Sequence, residues 1–74
     1  MKLKGEISEL VGDLLVHPYS IVHLGDDQTY ILFKPKMITI KKEDGYKLQI
    51  IYDDFVVHVT GDPDGKITSV RWTE

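Results

Sequence analysis

Apolar and polar residues follow a two-residue period through most of the chain, in short runs separated by turn-forming residues. A two-residue period is typical of β-strands, because successive side chains of a strand point to opposite faces. Six such runs are present, at positions 20–24, 28–33, 37–42, 46–52, 55–60 and 66–72. Their spacing predicts a mostly β fold, either an antiparallel β-meander or a small open barrel of five to seven strands.

Two of the separators carry strong hairpin signals. Asp44-Gly45 and Asp64-Gly65 are dipeptides that support tight chain reversals, and Pro63 presets the backbone before the second one. Asp53-Asp54 lacks the glycine that a two-residue hairpin turn favours, so it is either a turn or a bulge in one long strand. Pro35 has no backbone N–H and therefore marks a corner or a sheet edge.

The segment before the first predicted strand has a different period. Its apolar residues follow the i, i+3, i+4, i+7 spacing of a helix stripe, at Ile7, Leu10, Val11 and Leu14. This spacing predicts one short helix over about 8–16, with Ser8 as its N-cap and Pro18 just beyond its end. The alternative is an N-terminal strand that carries Leu3, Ile7 and Val11 on one face.

Several predicted strands are apolar on both faces. Residues 21–22 and 30–33 show no polar face, and Ile51 and Val56 interrupt the polar faces of their strands. Strands with this pattern are usually covered on both sides. A short helix covers one side, so we expect a second copy of the chain to cover the other. The predicted interface residues are Ile21, Ile31, Phe33, Ile51, Val56 and Trp72.

The leading functional hypothesis follows from this pattern. We predict a small intracellular protein-binding or regulatory module that acts through an apolar sheet surface, as a homo-oligomer of two or more copies. A lone tryptophan in so small a chain is typical of a core or interface anchor. A protein partner of another kind is compatible with the same surface.

Composition narrows the setting. The 74 residues are enough for a single domain, predicted to span 1–74, and they include no cysteine for disulfides or thiolate metal sites. The first residues carry acidic side chains where a secretion signal needs an apolar run, and no stretch of 18 apolar residues is present. We therefore expect a cytoplasmic protein without a membrane partner.

The distribution of charge raises an alternative function. The net charge is −3, yet residues 34–52 hold five lysines against Glu43 and Asp44, which gives +3. Lysines beside aromatic residues are typical of small β-barrels that bind single-stranded nucleic acid. The candidates are Lys34, Lys36, Lys41, Lys42, Lys47 and Tyr46. A third possibility, based only on small size, an acidic pI and the lack of an active-site signature, is a phage- or plasmid-encoded inhibitor.

The candidate catalytic and metal-binding patterns in the chain are incomplete. The stretch from Thr60 to Arg71 resembles the middle of an EF-hand calcium loop, but Thr60 and Arg71 stand where the loop needs acidic ligands. A Pro-Asp-Gly hairpin explains the same residues. The histidines match no standard ligand spacing and no serine lies in a nucleophile elbow. We predict that the chain is not an enzyme and has no catalytic, cofactor or metal site.

Overall fold

The structure, a computed structural model, describes residues 3–4, 6–24 and 28–74. Its elements in chain order are β1 (Leu3–Lys4), α1 (Ile7–Val16), β2 (Tyr19–Leu24), β3 (Gln28–Phe33), β4 (Met37–Lys42), β5 (Tyr46–Ile51), β6 (Val56–Gly61) and β7 (Ile67–Thr73). The mostly β class with one short helix is confirmed. Each of the six predicted strands ends within one residue of an observed strand.

The strands form two sheets that do not close into a barrel. The first sheet has the order β1-β2-β3, and the second is a four-stranded meander, β4-β5-β6-β7. All neighbours are antiparallel except β1 and β2, which run parallel with Leu3 opposite Ile21. This pair departs from the antiparallel arrangement expected from the sequence. It arises because α1 connects the two strands, and a crossover of this kind brings the chain back in the same direction.

The predicted helix is confirmed, and the N-terminal strand is wrong from Ile7 onward. The helix buries Ile7, Leu10 and Leu14 along one stripe and ends before Pro18. Ser8 is not the cap, because the helix begins one residue earlier and Glu6 occupies the N-cap position without a side-chain bond. The N–H of Ile7 is instead satisfied by the carbonyl of Gly65 at 2.8 Å. A tertiary contact thus replaces the local cap.

One apolar core lies between the two sheets and the helix. Its buried members are Ile7, Leu10, Leu14, Val22, Leu32, Leu48, Ile50, Val57, Val59, Ile67 and Val70. On β5 and β6 the members of this set are two residues apart and share the inward face, as the two-residue period requires. On β7, Ile67 and Val70 are three residues apart and are both buried because the ladder between β6 and β7 is irregular at this point. Ser20 is also fully buried and donates a hydrogen bond to the carboxylate of Asp13 at 3.4 Å, which ties the helix to β2.

The three hairpins of the second sheet differ in their turns. Asp44 and Gly45 both have positive φ, and Gly65 has φ of 89°, so both Asp-Gly predictions are confirmed. Residues Asp53-Asp54 form a tight turn rather than a bulge, since the N–H of Tyr52 donates to the carbonyl of Phe55 at 3.0 Å. The irregularity of the ladder lies elsewhere, at residues 60–61.

Gly61 brings the helix close to the second sheet. A Cβ atom at this position would lie 2.8 Å from Cγ1 of Ile7 and 3.2 Å from the carbonyl oxygen of Lys66. A side chain is therefore excluded unless the helix shifts. The same region holds an isolated bridge between Glu6 and Lys66, so the start of the helix is fastened to the last hairpin.

Candidate functional site

A groove of about 380 Å³ opens between β3 and β7. Within the described part of the chain, each of these strands is paired on one side only, so both are edge strands. The buried side chains of Leu32, Val57 and Val70 line the groove beneath, and Phe33 and Trp72 stand at its rim largely exposed. The groove is thus an unclosed side of the apolar core.

Trp72 is exposed because it lies on an edge strand, although its side chain is on the inward face of the sheet. In the register of β6 and β7 it lies opposite Val57, on the inward face that the core uses. β7 has no neighbour on its other side, so the indole is left 61% exposed. Its ring meets Tyr30 edge to face, with ring centres 6.3 Å apart. This pair spans the groove between the two sheets at one end.

A second aromatic pair stands at the other end. Tyr52 and Phe55 flank the Asp53-Asp54 turn, and their rings stack with centres 4.8 Å apart. The hydroxyl of Tyr52 donates to the carbonyl of Phe33 at 2.6 Å, which joins the meander to β3. Burial raises the pKa of Tyr52 above its ordinary value, so the phenol holds the proton that this bond needs.

The backbone of β3 presents polar groups to the groove. The N–H of Lys34 donates to the carbonyl of Pro18 at 3.1 Å, so the backbone groups of Lys34 point towards β2. In an antiparallel pair, residues whose backbone groups bond to the partner strand alternate with residues whose backbone groups point away from it. Counting back along β3, the N–H and C=O of Ile31 and Phe33 point away from β2. The Phe33 carbonyl is taken by Tyr52. No backbone bond within the described ranges reaches the outward groups of Ile31.

The opposite edge has the same property. The hydrogen bond between Tyr52 and Phe55 closes the Asp53-Asp54 turn. It determines which opposite residues of β5 and β6 form hydrogen-bonded pairs. Counting across the ladder, the N–H and C=O of Val70 and Trp72 point away from β6. No other strand among the described residues pairs with them. The groove therefore combines apolar side chains with two rows of unpaired backbone groups.

One end of the groove is acidic. Asp54 and Glu74 both line it. The neighbouring carboxylate of Asp53 is paired with Lys36 at 2.9 Å, whereas Asp54 and Glu74 form no ion pair with any residue that the structure describes. The groove thus offers uncompensated negative charge next to an apolar surface.

The predicted interface residues fall into three places. Ile31, Phe33 and Trp72 stand around the groove, and Ile21 lies opposite Ile31 on the outer face of the first sheet. Ile51 and Val56 lie opposite each other on the outer face of the second sheet, half-buried and away from the groove.

Sequence reasoning missed other groove residues, namely Tyr30, Tyr52, Asp54, Phe55 and Glu74. For Phe55 the sequence did contain a signal, because a large aromatic residue directly after a turn of two acidic residues is unusual at a position expected to face solvent. For Asp54 and Glu74 no local signal existed. Acidic residues in turns and near strand ends are usually solvated, and these two become notable only beside Phe33 and Trp72.

The lysine segment is divided between the two faces of the second sheet. Lys41 and Lys47 lie opposite each other on the outer face, and Lys41 also pairs with Glu43 at 3.5 Å. Lys42 is on the other face, with its ammonium 5.4 Å from the ring centre of Tyr46. Lys34 and Lys36 precede β4. Tyr46 is half-buried beneath Lys42 and does not stand free beside the outer lysines.

The described ranges contain no cluster of side chains suited to binding a metal ion. No group of three or more histidine or acidic side chains comes together there. Asp62, which the calcium-loop comparison singled out, uses its Oδ1 to accept backbone N–H bonds from Asp64 and Lys66, at 3.0 and 2.9 Å. The carboxylate therefore stabilises its own turn. Within the same ranges, no helix has the length and apolar character that crossing a bilayer requires.

Comparisons with known proteins add no relative: no family model, curated protein or solved structure matches this chain.

Proposed function

We propose that this chain is a small protein-binding module that self-associates through the groove surface, defined as Tyr30, Ile31, Phe33, Phe55 and Trp72. The observation that carries the proposal is the exposure of large apolar side chains around one groove. Phe33 is 63% exposed, Trp72 61% and Ile31 56%. Contiguous apolar surface of this kind is a marker of interaction sites on soluble proteins.

The residue types favour a protein ligand. Tryptophan and tyrosine are enriched among the residues that contribute most to protein–protein binding, because they bury large area with few rotatable bonds. The rows of unpaired backbone groups favour the same class of ligand, since a peptide chain offers matching donors and acceptors. A small apolar ligand would leave those groups unsatisfied.

Sedimentation or light scattering over micromolar concentrations tests self-association. We expect the wild-type chain to exceed the 8.5 kDa of one copy in a concentration-dependent manner. Phe33→Ser and Trp72→Ser should each weaken association at least tenfold, while their circular dichroism stays that of the wild type. Leu15→Ser is the matched control, because Leu15 is equally exposed but lies on the helix. A single 8.5 kDa species at every concentration would contradict the proposal.

A second candidate function, binding of single-stranded nucleic acid, is supported by one observation. Lys41, Lys47 and Arg71 share the outer face of the second sheet, and no acidic residue occupies a strand position on that face. Binding of an oligonucleotide should weaken steeply with salt, and Lys41→Glu should reduce it more than Lys66→Glu. Absence of binding at low salt would remove this candidate. The inhibitor hypothesis has no structural observation in its favour and stays a prediction.

A further inference from the structure

The second sheet has another open edge, on the side opposite the groove. Among the strands that the structure describes, only β5 pairs with β4. The carbonyl of Ile51 accepts the N–H of Lys36 at 2.8 Å, so Ile51 directs its backbone towards β4. By alternation, the N–H and C=O of Ile38 and Ile40 point away from β5. β4 is therefore a six-residue strand with one row of backbone groups that no described residue pairs.

β4 has the extended backbone and the exposed apolar side chains that filling the groove requires. The groove needs an extended segment that supplies backbone donors and acceptors along an edge. β4 is already extended, and its Met37 and Ile40 side chains are more than half exposed. Among the described strands, β3 and β7 form the groove itself and β1 has two residues, which leaves β4 as the edge strand long enough to fill it.

Charge complementarity points the same way. The 34–52 segment that contains β4 carries +3 within a chain of net charge −3. The acidic end of the groove, formed by Asp54 and Glu74, belongs to the segment 53–74. That segment has five acidic residues and two basic ones and carries −3. Opposite potentials across an interface favour the matched orientation and disfavour the others.

We propose that the groove is filled by β4 of a second copy, added as a strand to the open edge of β7. This inference rests on the proposed function and names its partner. The second sheet of one copy continues into the second sheet of the next, with the lysines of the incoming strand beside Asp54 and Glu74. Main-chain hydrogen bonds contribute affinity, and the groove surface selects the side chains.

The lysines also decide against the other edge pairings. Pairing two β4 edges would bring together two strands that each carry Lys41 and Lys42 and no acidic residue, and lysine on an edge strand commonly prevents such pairing. Lysine next to the acidic end of the groove instead favours pairing, because the charges are opposite. The contact is therefore head to tail, and an open assembly keeps one unused β4 at one end and one unused groove at the other. Such an interface forms rings or open chains of copies rather than a closed two-fold dimer.

Two variants of β4 test the inference by light scattering. Ile40→Pro removes an outward-pointing N–H from an edge strand, a position where proline leaves the internal ladder intact. Lys41→Glu combined with Lys42→Glu reverses the charge of the incoming strand. We expect the proline variant to be monomeric and the charge variant to associate at least tenfold more weakly. The control, Lys47→Glu with Lys66→Glu, has the same change in net charge away from the edge and should associate like the wild type.

Mixing distinguishes head-to-tail contact from other arrangements. Ile40→Pro keeps a working groove, and Trp72→Ser keeps a working β4. Each should be monomeric alone, and an equimolar mixture should give a one-to-one complex that grows no further. If the proline variant does not fold by circular dichroism, the charge variant takes its place in the mixture.

The outcomes separate this inference from the proposed function. If both β4 variants associate like the wild type while Trp72→Ser does not, the groove binds another part of the partner and the inference is overturned, with the proposed function intact. If the two single variants are monomeric and their mixture is too, head-to-tail addition is overturned. A wild-type chain that stays monomeric overturns the proposed function and the inference together.

Discussion

The two flanks of the core make an instructive comparison. On one flank, α1 lies over the sheets and its Leu10 and Leu14 are at most 1% exposed. On the other, between β3 and β7, Phe33 and Trp72 are both more than 60% exposed. The residue types are equally apolar. The flanks differ because a helix concentrates its apolar side chains on one stripe that can be fully covered, whereas an edge strand lacks a neighbour to cover it.

The comparison separates residues that hold the fold from residues available for contact. Burial of an apolar side chain stabilises the folded state in proportion to the area removed from water, about 25 cal/mol per Å². The helix flank makes this contribution within one copy. The groove flank makes it only when something is bound. Substitutions on the two flanks should therefore affect different measurements.

The largest expected effect is on the helix flank. Leu10→Ala removes a fully buried side chain and leaves a cavity, so we expect a loss of about 3 kcal/mol in the free energy of unfolding, measured by urea denaturation. Leu15→Ala, five residues further along the same helix and 64% exposed, should change it by less than about 0.5 kcal/mol. Similar losses for the two variants would contradict the assignment of the covered flank.

A smaller effect is expected where the helix meets the last hairpin. Gly61→Ala places a Cβ atom against Ile7 and should cost about 1–3 kcal/mol, because a well-packed core does not accept added volume. Combining it with Ile7→Ala removes the atoms in conflict, so the double variant should be more stable than the sum of the two single losses indicates. Additive losses in urea denaturation would show that Gly61 does not limit the approach of the helix.

The smallest effect sharpens the description of the groove flank. Tyr52→Phe removes the hydrogen bond to the Phe33 carbonyl and should cost about 1 kcal/mol at neutral pH. The pKa of Tyr52 is raised in the folded state, so its protonated form is favoured there. Its contribution to stability is full below the ordinary tyrosine pKa of about 10 and is lost as pH rises through the folded-state value.

The pH dependence can be isolated by subtraction. The difference in unfolding free energy between the wild type and Tyr52→Phe should be constant up to about pH 9 and shrink above about pH 10. A difference that stays constant through the alkaline range would mean that the hydroxyl of Tyr52 does not join the two sheets as described.

Much of the fold could be predicted from the sequence because its signals are local. The two-residue period located six strands within one residue, and the spacing of Ile7, Leu10 and Leu14 located the helix. The Asp-Gly pairs located two hairpins, since positive φ at Asp44, Gly45 and Gly65 is a property of a few adjacent residues. The N-cap was predicted wrongly because the N–H of Ile7 is satisfied by a residue distant in sequence, Gly65.

The candidate site was predictable only in part. Ile31 and Phe33 were expected at an interface because their strand is apolar on both faces, and Trp72 because of its residue type; the structure places all three around one groove. Ile51 and Val56 have the same pattern and lie elsewhere, half-buried on the outer face of the second sheet. The two-residue period assigns a side chain to one of the two faces of its strand. It does not indicate which sheet the strand joins or which strand lies next to it.

The sequence by itself determined the helix and the six longer strands of this protein, β2 to β7, and which side chains of most of these segments share a face. The tertiary structure decided how the strands divide into two sheets, that β1 joins β2 in parallel, and that β3, β4 and β7 are edges. The physical reason is the range of the interactions. Backbone dihedrals and side-chain periods are set by adjacent residues, whereas the edge of a sheet is defined by the absence of a neighbour, which depends on how distant segments pack together.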